Sequence, residues 1–275
     1  MVAETSNMLG SDGLELFYRY WIPEKPEKVF CIIHGHGEHG GRYEHIALHL
    51  TKMNVSTFAM DLRGHGLSKG KRGHAASYDL LMRDVEELIK TARETFNDLP
   101  IYLMGHSMGG NLVANFMIND TSKEISGFIL SSPWLKLAFE PSKIKLKLGQ
   151  IMTKIWPSYS ENNGLEVNYL SKDPIEVKKY VDDPLVHGMI SAGLFSAISE
   201  ASDNALVKAG NIKTKGLVYH GSADQIIDHK TTQAFAASNE LLEWHLLDGV
   251  FHEPHNDLEK DSVLTLISNW ISENK

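Results

Sequence analysis

The stretch Ile101–Ile118, IYLMGHSMGGNLVANFMI, decides the fold of this 275-residue chain. It starts with four apolar residues, which are typical of a strand buried on both faces. It ends in an apolar run that is typical of a helix. Between the two lies Gly105-His106-Ser107-Met108-Gly109, the pattern Gly-x-Ser-x-Gly. A strand, this turn and a helix together make a nucleophile elbow, in which a tight turn presents a serine hydroxyl at the head of a helix.

Steric and electrostatic arguments support this interpretation of Ser107. The turn strains the serine backbone and brings strand and helix so close that a Cβ at Gly105 or Gly109 would clash. The helix N-terminus adds a positive field where an oxyanion would form. A helix-capping serine would also fit the pentapeptide alone, but a second match at residues 66–70 lacks both the strand before it and the apolar helix after it. We therefore interpret Ser107 as the nucleophile and Ser68 as a loop residue.

The composition is that of an ordinary globular protein and excludes several classes. Hydrophobic residues make up 42% of the chain, and 27 basic against 35 acidic residues give a net charge of −8. This acidic balance disfavours nonspecific nucleic-acid binding, so we expect no nucleic-acid partner. No apolar run approaches the ~18 residues of a spanning helix, and the first seven residues lack the features of a secretory signal. We therefore expect a cytoplasmic protein, in agreement with its single cysteine, Cys31.

Strand and helix patterns alternate through the first half of the chain, which predicts βαβ units and a parallel sheet. Strands are expected at residues 14–20, 29–33, 55–60, 101–104, 126–130, 216–220 and 242–247, with a hairpin partner before Gly13. After Pro133 the alternation stops, and several prolines punctuate a stretch without a convincing strand. The sequence thus predicts a doubly wound, mostly parallel α/β domain from residues 1–132 and 212–275. A helical cap at residues 133–211 would interrupt it after the sixth strand.

Motifs spread from Ser11 to Trp270 carry a resemblance to a known family. They are HGHGEHGGRY at 34–43, DLRGHGLS at 61–68, the elbow, SKDP at 171–174, DPLVHG at 183–188, GSAD at 221–224 and FHE at 251–253. With these motifs the chain resembles the α/β-hydrolase fold and, within it, the monoacylglycerol lipase and lysophospholipase family. The resemblance implies an esterase that uses a serine, a histidine and an acid.

The fold implies the chain order serine, acid, histidine. Asp224 follows the expected strand at 216–220, and His252 follows the one at 242–247. His252 would accept the proton of Ser107, and Asp224 would hold the imidazole in the right tautomer and stabilise its cation. Asp228 and His255 are rivals for these two roles, but the family motifs match Asp224 and His252.

An oxyanion needs two backbone donors. The resemblance implies Met108 N–H and, from the His-Gly-x-Gly loop, His36 N–H. The family usually has a small residue at the x position, whereas this chain has His36. A backbone donor tolerates any side chain, but this imidazole is expected to lie at the mouth of the acyl-binding site.

Two alternatives come from other classes. The segment His34-x-His36-x-Glu38-His39 superficially resembles the zinc motif of metallo-β-lactamase-like hydrolases, because imidazoles at alternate positions can converge on a metal. Glu38 stands where that motif has aspartate, and the doubly wound pattern is wrong for paired sheets. We therefore expect no metal and no cofactor. A non-catalytic receptor of the same fold is the other alternative, which the presence of all three catalytic candidates disfavours.

The expected cap suggests the kind of substrate. Ile144, Leu148 and Ile151 share one helix face, with lysines around them. Such a helix can cover an active site and rest on an anionic lipid surface, although a helix that only packs on the sheet domain would look the same. Together with Leu194 and Phe195, these residues are candidates for an apolar acyl-binding site. An exposed cap could also form a homodimer.

The expected activity is therefore hydrolysis of a carboxylic ester through an acyl-enzyme. By resemblance the substrate is a monoacylglycerol, cleaved to fatty acid and glycerol. A lysophospholipid or another ester on the same triad is the alternative, because an apolar pocket discriminates one or two methylenes by only ~1 to 3 kcal/mol.

Overall fold

The computed structural model describes residues 2–120, 124–140 and 142–274, without the side chains at 143–146. Within these ranges the chain forms ten strands and eight α-helices. The strands are β1 (Glu4–Leu9), β2 (Glu15–Trp21), β3 (Lys28–Ile33), β4 (Val55–Met60), β5 (Ile101–His106), β6 (Ile125–Ser131), β7 (Ser160–Asn162), β8 (Met189–Ser191), β9 (Gly216–Gly221) and β10 (Leu242–Leu247). The helices are α1 (Glu44–Thr51), α2 (Tyr78–Thr95), α3 (Met108–Asn119), α4 (Lys143–Ile155), α5 (Pro174–Asp182), α6 (Ala192–Lys208), α7 (His229–Ala237) and α8 (Lys260–Glu273).

Capping side chains explain where several helices begin. Ser77 accepts a backbone N–H at the start of α2, and Ser191 does so at the start of α6. Asp173 caps α5, whose first residue is a proline, and Asp228 caps α7. These residues satisfy amide groups that have no partner within the helix. Of the helices in the described ranges, none is both long and apolar enough to cross a bilayer.

The main sheet has the strand order β1-β2-β4-β3-β5-β6-β9-β10. β1 and β2 form the expected hairpin, and β2 also pairs antiparallel with β4. From β4 to β10 every neighbouring pair is parallel. This arrangement confirms the predicted mostly parallel α/β-hydrolase sheet. The carboxyl ends of its parallel strands meet at one edge, where such sheets bind ligands.

Helices cover both faces of the sheet, which is why its central strands are apolar throughout. In β3, Val29, Cys31 and Ile33 belong to the core beneath α2, α3, α6 and α7. Phe30 and Ile32 point to the opposite core, beneath α1 and α8. Successive side chains therefore alternate between two cores, as the period of a strand requires.

The chain between β6 and β9 contains α4, β7, α5, β8 and α6. We expected no strand there, and that expectation is wrong: β7 and β8 pair antiparallel, with Ser160 opposite Ser191. Strands of three residues are too short to give a recognisable alternation in sequence. α6 contributes Leu194 and Ile198 to the core that it shares with α3. The boundaries at residues 133 and 211 stay a prediction.

Candidate active site

β5 passes into α3 through a single residue, Ser107, with φ of +51° and ψ of −115°. An L-residue seldom adopts this conformation, so the turn is strained. The Ser107 N–H donates to the carbonyl of Ser131 at 3.0 Å, which joins the turn to the end of β6. α3 comes so close to β3 that a Cβ on Gly109 would lie 2.1 Å from the Ile33 carbonyl oxygen. This close approach fixes the serine hydroxyl at the carboxyl edge of the sheet.

Ser107, Asp224 and His252 come together from three loops at this edge. His252 Nε2 lies 3.0 Å from Ser107 Oγ, and His252 Nδ1 lies 2.7 Å from Asp224 Oδ2. All three residues are buried. The structure thus brings into one hydrogen-bonded chain the three residues that the sequence analysis selected. In this arrangement the imidazole can accept the hydroxyl proton while the carboxylate holds the opposite ring nitrogen.

Asp224 accepts hydrogen bonds on both carboxylate oxygens. Oδ1 accepts the backbone N–H groups of Ile226 at 2.8 Å and Ile227 at 3.0 Å. Oδ2 accepts Nδ1–H of His252 and, at 2.8 Å, Nε2–H of His220. Burial alone would raise the pKa of Asp224, but the two imidazoles outweigh it and hold that pKa far below its usual range. The group is therefore a carboxylate at neutral pH.

The same pair shifts the pKa of His252 in the opposite direction. Burial disfavours the imidazolium, but the negative charge of Asp224 outweighs burial and raises the pKa of His252 above its usual value. Glu253 and Glu38 add smaller contributions of the same sign. The site therefore favours the imidazolium form of His252, the form that would result if the imidazole took a proton from Ser107.

His220 is a site residue that the sequence analysis missed. It is fully buried at the end of β9, and its Nδ1 lies 3.0 Å from Thr232 Oγ1. With Nε2–H donated to Asp224, the Thr232 hydroxyl donates to Nδ1, so both ring nitrogens are used. The spacing of four residues between His220 and Asp224 at a strand end was the available signal, since it placed both residues at the same edge.

Asp228 and His255, the rival candidates for the acid and the base, make other contacts. Asp228 accepts the backbone N–H of Lys230 at 3.1 Å and the Thr231 hydroxyl at 2.7 Å, at the start of α7. His255 is buried with its ring stacked on Tyr43, the ring centroids 4.8 Å apart. Neither bonds to Ser107 or His252 among the described residues.

The loop after β3 lies directly against the nucleophile. A Cβ on Gly35 would come within 3.2 Å of the Ser107 Cβ, so a larger residue there would separate the loop from the serine. Within the part of the chain that the structure describes, neither His36 N–H nor Met108 N–H donates to a protein acceptor. Met108 is the first residue of α3, a position whose amide has no partner inside the helix. In the described part of the chain, two amides are therefore unengaged near this turn: that of Met108, which follows Ser107, and that of His36, which follows Gly35.

The histidines of the alternative metal site are engaged in hydrogen bonds. His34 donates Nδ1–H to the Gly35 carbonyl at 2.7 Å and accepts the Leu62 N–H on Nε2 at 2.8 Å. His39 Nε2 lies 2.9 Å from Asp183 Oδ2, and its Nδ1 accepts a backbone N–H at 3.1 Å. These nitrogens offer no free lone pair. No cluster of three or more possible ligands capable of holding a metal ion occurs among the described residues.

A buried ionic cluster connects the loop after β3 to the loop that carries His252. Arg42 Nη1 lies 2.7 Å from both Glu38 Oε2 and Glu253 Oε1, and Nη2 lies 2.7 Å from Glu253 Oε2. Glu38 Oε1 also accepts Tyr43 O–H at 2.7 Å and Gly35 N–H at 2.6 Å. Burial opposes ionisation of both carboxyls, but Arg42 lowers the pKa of Glu253 to about 2. Burial and the charge of Glu253 raise the pKa of Glu38.

The predicted acyl-binding residues on α4 do not line an enclosed tunnel. Leu148 is 56% exposed and Ile151 is 50% exposed. The side chain of Ile144 lies outside the described residues. α4 packs on α6 with another face, where Thr153 Oγ1 donates to the Ala192 carbonyl at 3.2 Å. The face of α4 that carries Leu148 and Ile151 is therefore exposed to solvent.

The two candidates on α6 differ from each other. Leu194 is buried in the core shared with α3. Phe195 is partly buried, with its ring 6.0 Å from that of Trp134. The backbone N–H of Trp134 donates to the Ser107 carbonyl at 2.8 Å. The Trp134 ring therefore lies between Phe195 and the elbow.

Comparisons with known proteins identify the family of the chain. Residues 24–259 match the family model described as Serine aminopeptidase, S33. The chain is 30% identical over 266 residues to the monoacylglycerol lipase of Mycolicibacterium smegmatis, covering 95% of this chain and 94% of that protein. It is 34% identical to an uncharacterized abhydrolase domain-containing protein of Dictyostelium discoideum, of whose greater length it spans 29%.

A solved structure gives the same result. The crystal structure of Paleococcus ferrophilus monoacylglycerol lipase superimposes with a TM-score of 0.85 at 28% identity, covering 100% of both chains. The match extends over the sheet domain and the segment inserted between β6 and β9. The chain therefore belongs to the Serine aminopeptidase, S33 family, as a monoglyceride lipase-like serine hydrolase with the α/β-hydrolase fold.

Proposed function

We propose that the protein hydrolyses carboxylic esters through an acyl-enzyme formed on Ser107. The observation that carries this proposal is the hydrogen-bonded chain from Ser107 Oγ through His252 to Asp224, built on a strained turn at the head of α3. His252 is the general base, Asp224 orients it, and the N–H groups of His36 and Met108 bind the oxyanion.

The reaction has two halves. Ser107 Oγ attacks the ester carbonyl while His252 Nε2 takes its proton, and the tetrahedral intermediate collapses as His252 returns that proton to the leaving alcohol. Water then gives a proton to His252 and attacks the acyl-enzyme, and the second collapse returns the proton to Ser107 with release of the fatty acid. Asp224 stays ionised throughout, since its hydrogen bonds keep its pKa low.

A monoacylglycerol is the proposed substrate. The names of the Mycolicibacterium smegmatis and Paleococcus ferrophilus proteins support it, and both match nearly the whole chain. Lysophospholipids are the alternative on the same triad. The two substrates differ in the leaving alcohol, which is neutral glycerol for a monoacylglycerol and a charged phosphodiester for a lysophospholipid. Measuring kcat/KM on both substrates therefore shows which one the protein prefers.

We also propose that the protein is cytoplasmic and contacts an anionic lipid surface peripherally through the outward face of α4. Leu148, Ile151 and Ile155 share one helix face, and Ile155 is 76% exposed. Lys147 and Lys154 are exposed beside them. An apolar stripe flanked by lysines is the combination that binds anionic lipid, and it would deliver a lipid ester close to the site.

Ser107→Ala is expected to abolish ester hydrolysis, because no other group supplies the nucleophile. Ser68→Ala is the matched control: the Ser68 hydroxyl accepts Phe17 N–H at 2.8 Å and donates to the Asp61 carbonyl, so its loss affects stability and leaves the rate per folded molecule near wild type. Mass spectrometry after a long-chain fluorophosphonate is expected to find one phosphonyl group on Ser107. Equal loss of activity in both variants would contradict the assignment.

Asp224→Asn is expected to lower kcat by about 10⁴-fold, because an amide that donates to His252 Nδ1 fixes the wrong imidazole tautomer. Asp228→Asn, four residues on, changes only the cap of α7 and is expected to leave kcat near wild type. The measurement is kcat on p-nitrophenyl butyrate and on monooleoylglycerol. A larger loss in the Asp228 variant would identify that residue as the acid instead.

Hydrolysis is expected to fall as the pH drops through the pKa of His252, with a midpoint above the usual value of about 6.5. Only neutral His252 can act as the base, and Asp224 raises this pKa against the effect of burial. Removing a nearby negative charge with Glu253→Gln is expected to move the midpoint of kcat/KM to lower pH, while Glu38 still pairs with Arg42. Glu243→Gln, at an exposed position, is the control. A midpoint that rises in Glu253→Gln would contradict this electrostatic account.

Ile155→Glu is expected to weaken binding to phosphatidylglycerol vesicles by about tenfold or more, since burial of an isoleucine contributes ~1.5 to 3 kcal/mol. Val207→Glu, at an exposed position on α6, is the matched control. Cosedimentation measures binding, and p-nitrophenyl butyrate hydrolysis is expected to stay unchanged in both variants. Loss of a homodimer in Ile155→Glu, without any vesicle binding by the wild type, would assign this face to self-association.

A further inference from the structure

The His36 side chain makes contacts that a small residue at its position could not make. Its Nε2 lies 3.1 Å from the Met189 carbonyl oxygen, and its Nδ1 lies 3.3 Å from Asn163 Nδ2. Met189 begins β8, and Asn163 directly follows β7. One imidazole in the loop after β3 therefore reaches β8 and the residue that follows β7.

The partners fix the tautomer of this imidazole. A carbonyl can only accept, so His36 donates Nε2–H to Met189. Asn163 Oδ1 accepts Leu165 N–H at 2.9 Å, which turns its amide nitrogen toward His36 as a donor to Nδ1. The Asn163 backbone N–H is itself held by the Gly188 carbonyl at 2.7 Å. Every polar group in this contact therefore has a defined role.

The backbone of the same loop is packed between the inserted segment and the nucleophile. The His187 N–H donates to the Gly37 carbonyl at 2.9 Å. Gly37 has φ of +81°, and a Cβ there would lie 2.4 Å from the His187 carbonyl oxygen. On the other side Gly35 lies against Ser107, as described above. A displacement of the loop by the inserted segment would therefore be transmitted to the residues that face the serine.

We propose that the His36 side chain is a positioning residue, which fastens the oxyanion-binding amide of the same residue to Asn163 and Met189. The position of the β7–β8 sheet then sets the geometry of the oxyanion donor. This inference rests on the proposed function, in which His36 N–H binds the oxyanion. It explains why this chain accepts a bulky residue at a position beside the acyl-binding mouth.

The surroundings keep His36 neutral, as these hydrogen bonds require. Its ring packs edge-on against His65, Trp134 and His187, with centroid distances of 5.5, 6.4 and 5.9 Å. Burial, with a contribution from His187, lowers the pKa of His36 to about 3. The neighbouring imidazoles of His65 and His187 also have pKa values lowered by burial. The contact therefore persists across the pH range in which His252 is neutral.

The test compares kcat and KM of the full chain on p-nitrophenyl butyrate at pH 8. In His36→Ala the backbone donor is present but loosely held, so kcat is expected to fall about 10- to 100-fold with KM within about twofold of wild type. Asn163→Ala is expected to lower kcat in the same way, and the double variant to be no slower than His36→Ala alone, because the two residues act as one unit. His36→Gln, whose amide can donate to Met189, is expected to recover most of kcat.

His74→Ala is the matched control, because His74 also links the sheet domain to the inserted segment, through Ser191 Oγ at 2.8 Å, without holding the loop after β3. If the role of His36 were only structural, both histidine variants would lose thermal stability alike and keep kcat.

A His36→Ala protein as fast as His74→Ala, an effect confined to KM, or additive losses in the double variant would overturn this inference. If His36→Ala does not fold, Asn163→Ala carries the test, and an Asn163→Ala protein as fast as His74→Ala would overturn this inference. A wild type that neither hydrolyses esters nor is labelled at Ser107 would overturn the proposed function, and this inference with it.

Discussion

The close approach of α3 to the end of β3 is the constraint on which the site depends. With no Cβ on Gly109, the first turn of the helix reaches the Ile33 carbonyl, and the chain must turn through Ser107 at positive φ. The strain of about 1 to 3 kcal/mol in such a turn is sustained by the surrounding core. Because of this approach, one small volume contains the serine hydroxyl, the Met108 amide at the start of α3 and the loop after β3. The other site residues need only reach that volume from neighbouring strands.

Hydrogen bonds and ion pairs stabilise the charges of the buried carboxylates at the site. Asp224 receives four hydrogen bonds, so it can stabilise the imidazolium of His252 without taking its proton. Arg42 is placed between two buried carboxylates, which would otherwise repel each other. Breaking such a buried pair is expensive, about 3 to 5 kcal/mol, because the remaining charge has no solvent. The cluster therefore holds the loop of Glu38 and the loop of Glu253 in one relative position.

The sequence predicted most of the sheet from short runs rich in apolar and β-branched residues, and β4 and β10 have the predicted bounds. It selected Ser107 from its strand-turn-helix context, which is a local feature. Strand ends alone left Asp228 and His255 as rivals, and the resemblance to the family motifs selected Asp224 and His252. The sequence did not predict β7 and β8, whose three residues carry no period, or the contact of His220 with Asp224. β7 and β8 pair across a long stretch of chain, so no local pattern encodes their contact. His220 and Asp224 are only four residues apart, but spacing alone does not show that the imidazole turns toward the carboxylate. Leu148 and Ile151 were assigned from a correct helical face, but period alone does not say whether such a face turns inward or outward.

The inserted segment is attached to the sheet domain at two places, by apolar packing and by hydrogen bonds. α6 contributes Leu194 to the main core, so the insertion is anchored by apolar burial at its end. At its middle, Asn163, His187 and Met189 bond to the loop after β3. The outward face of α4 lies on the same segment. If the protein contacts a lipid surface through α4 as proposed, that surface acts on a segment that is already bonded to the loop after β3.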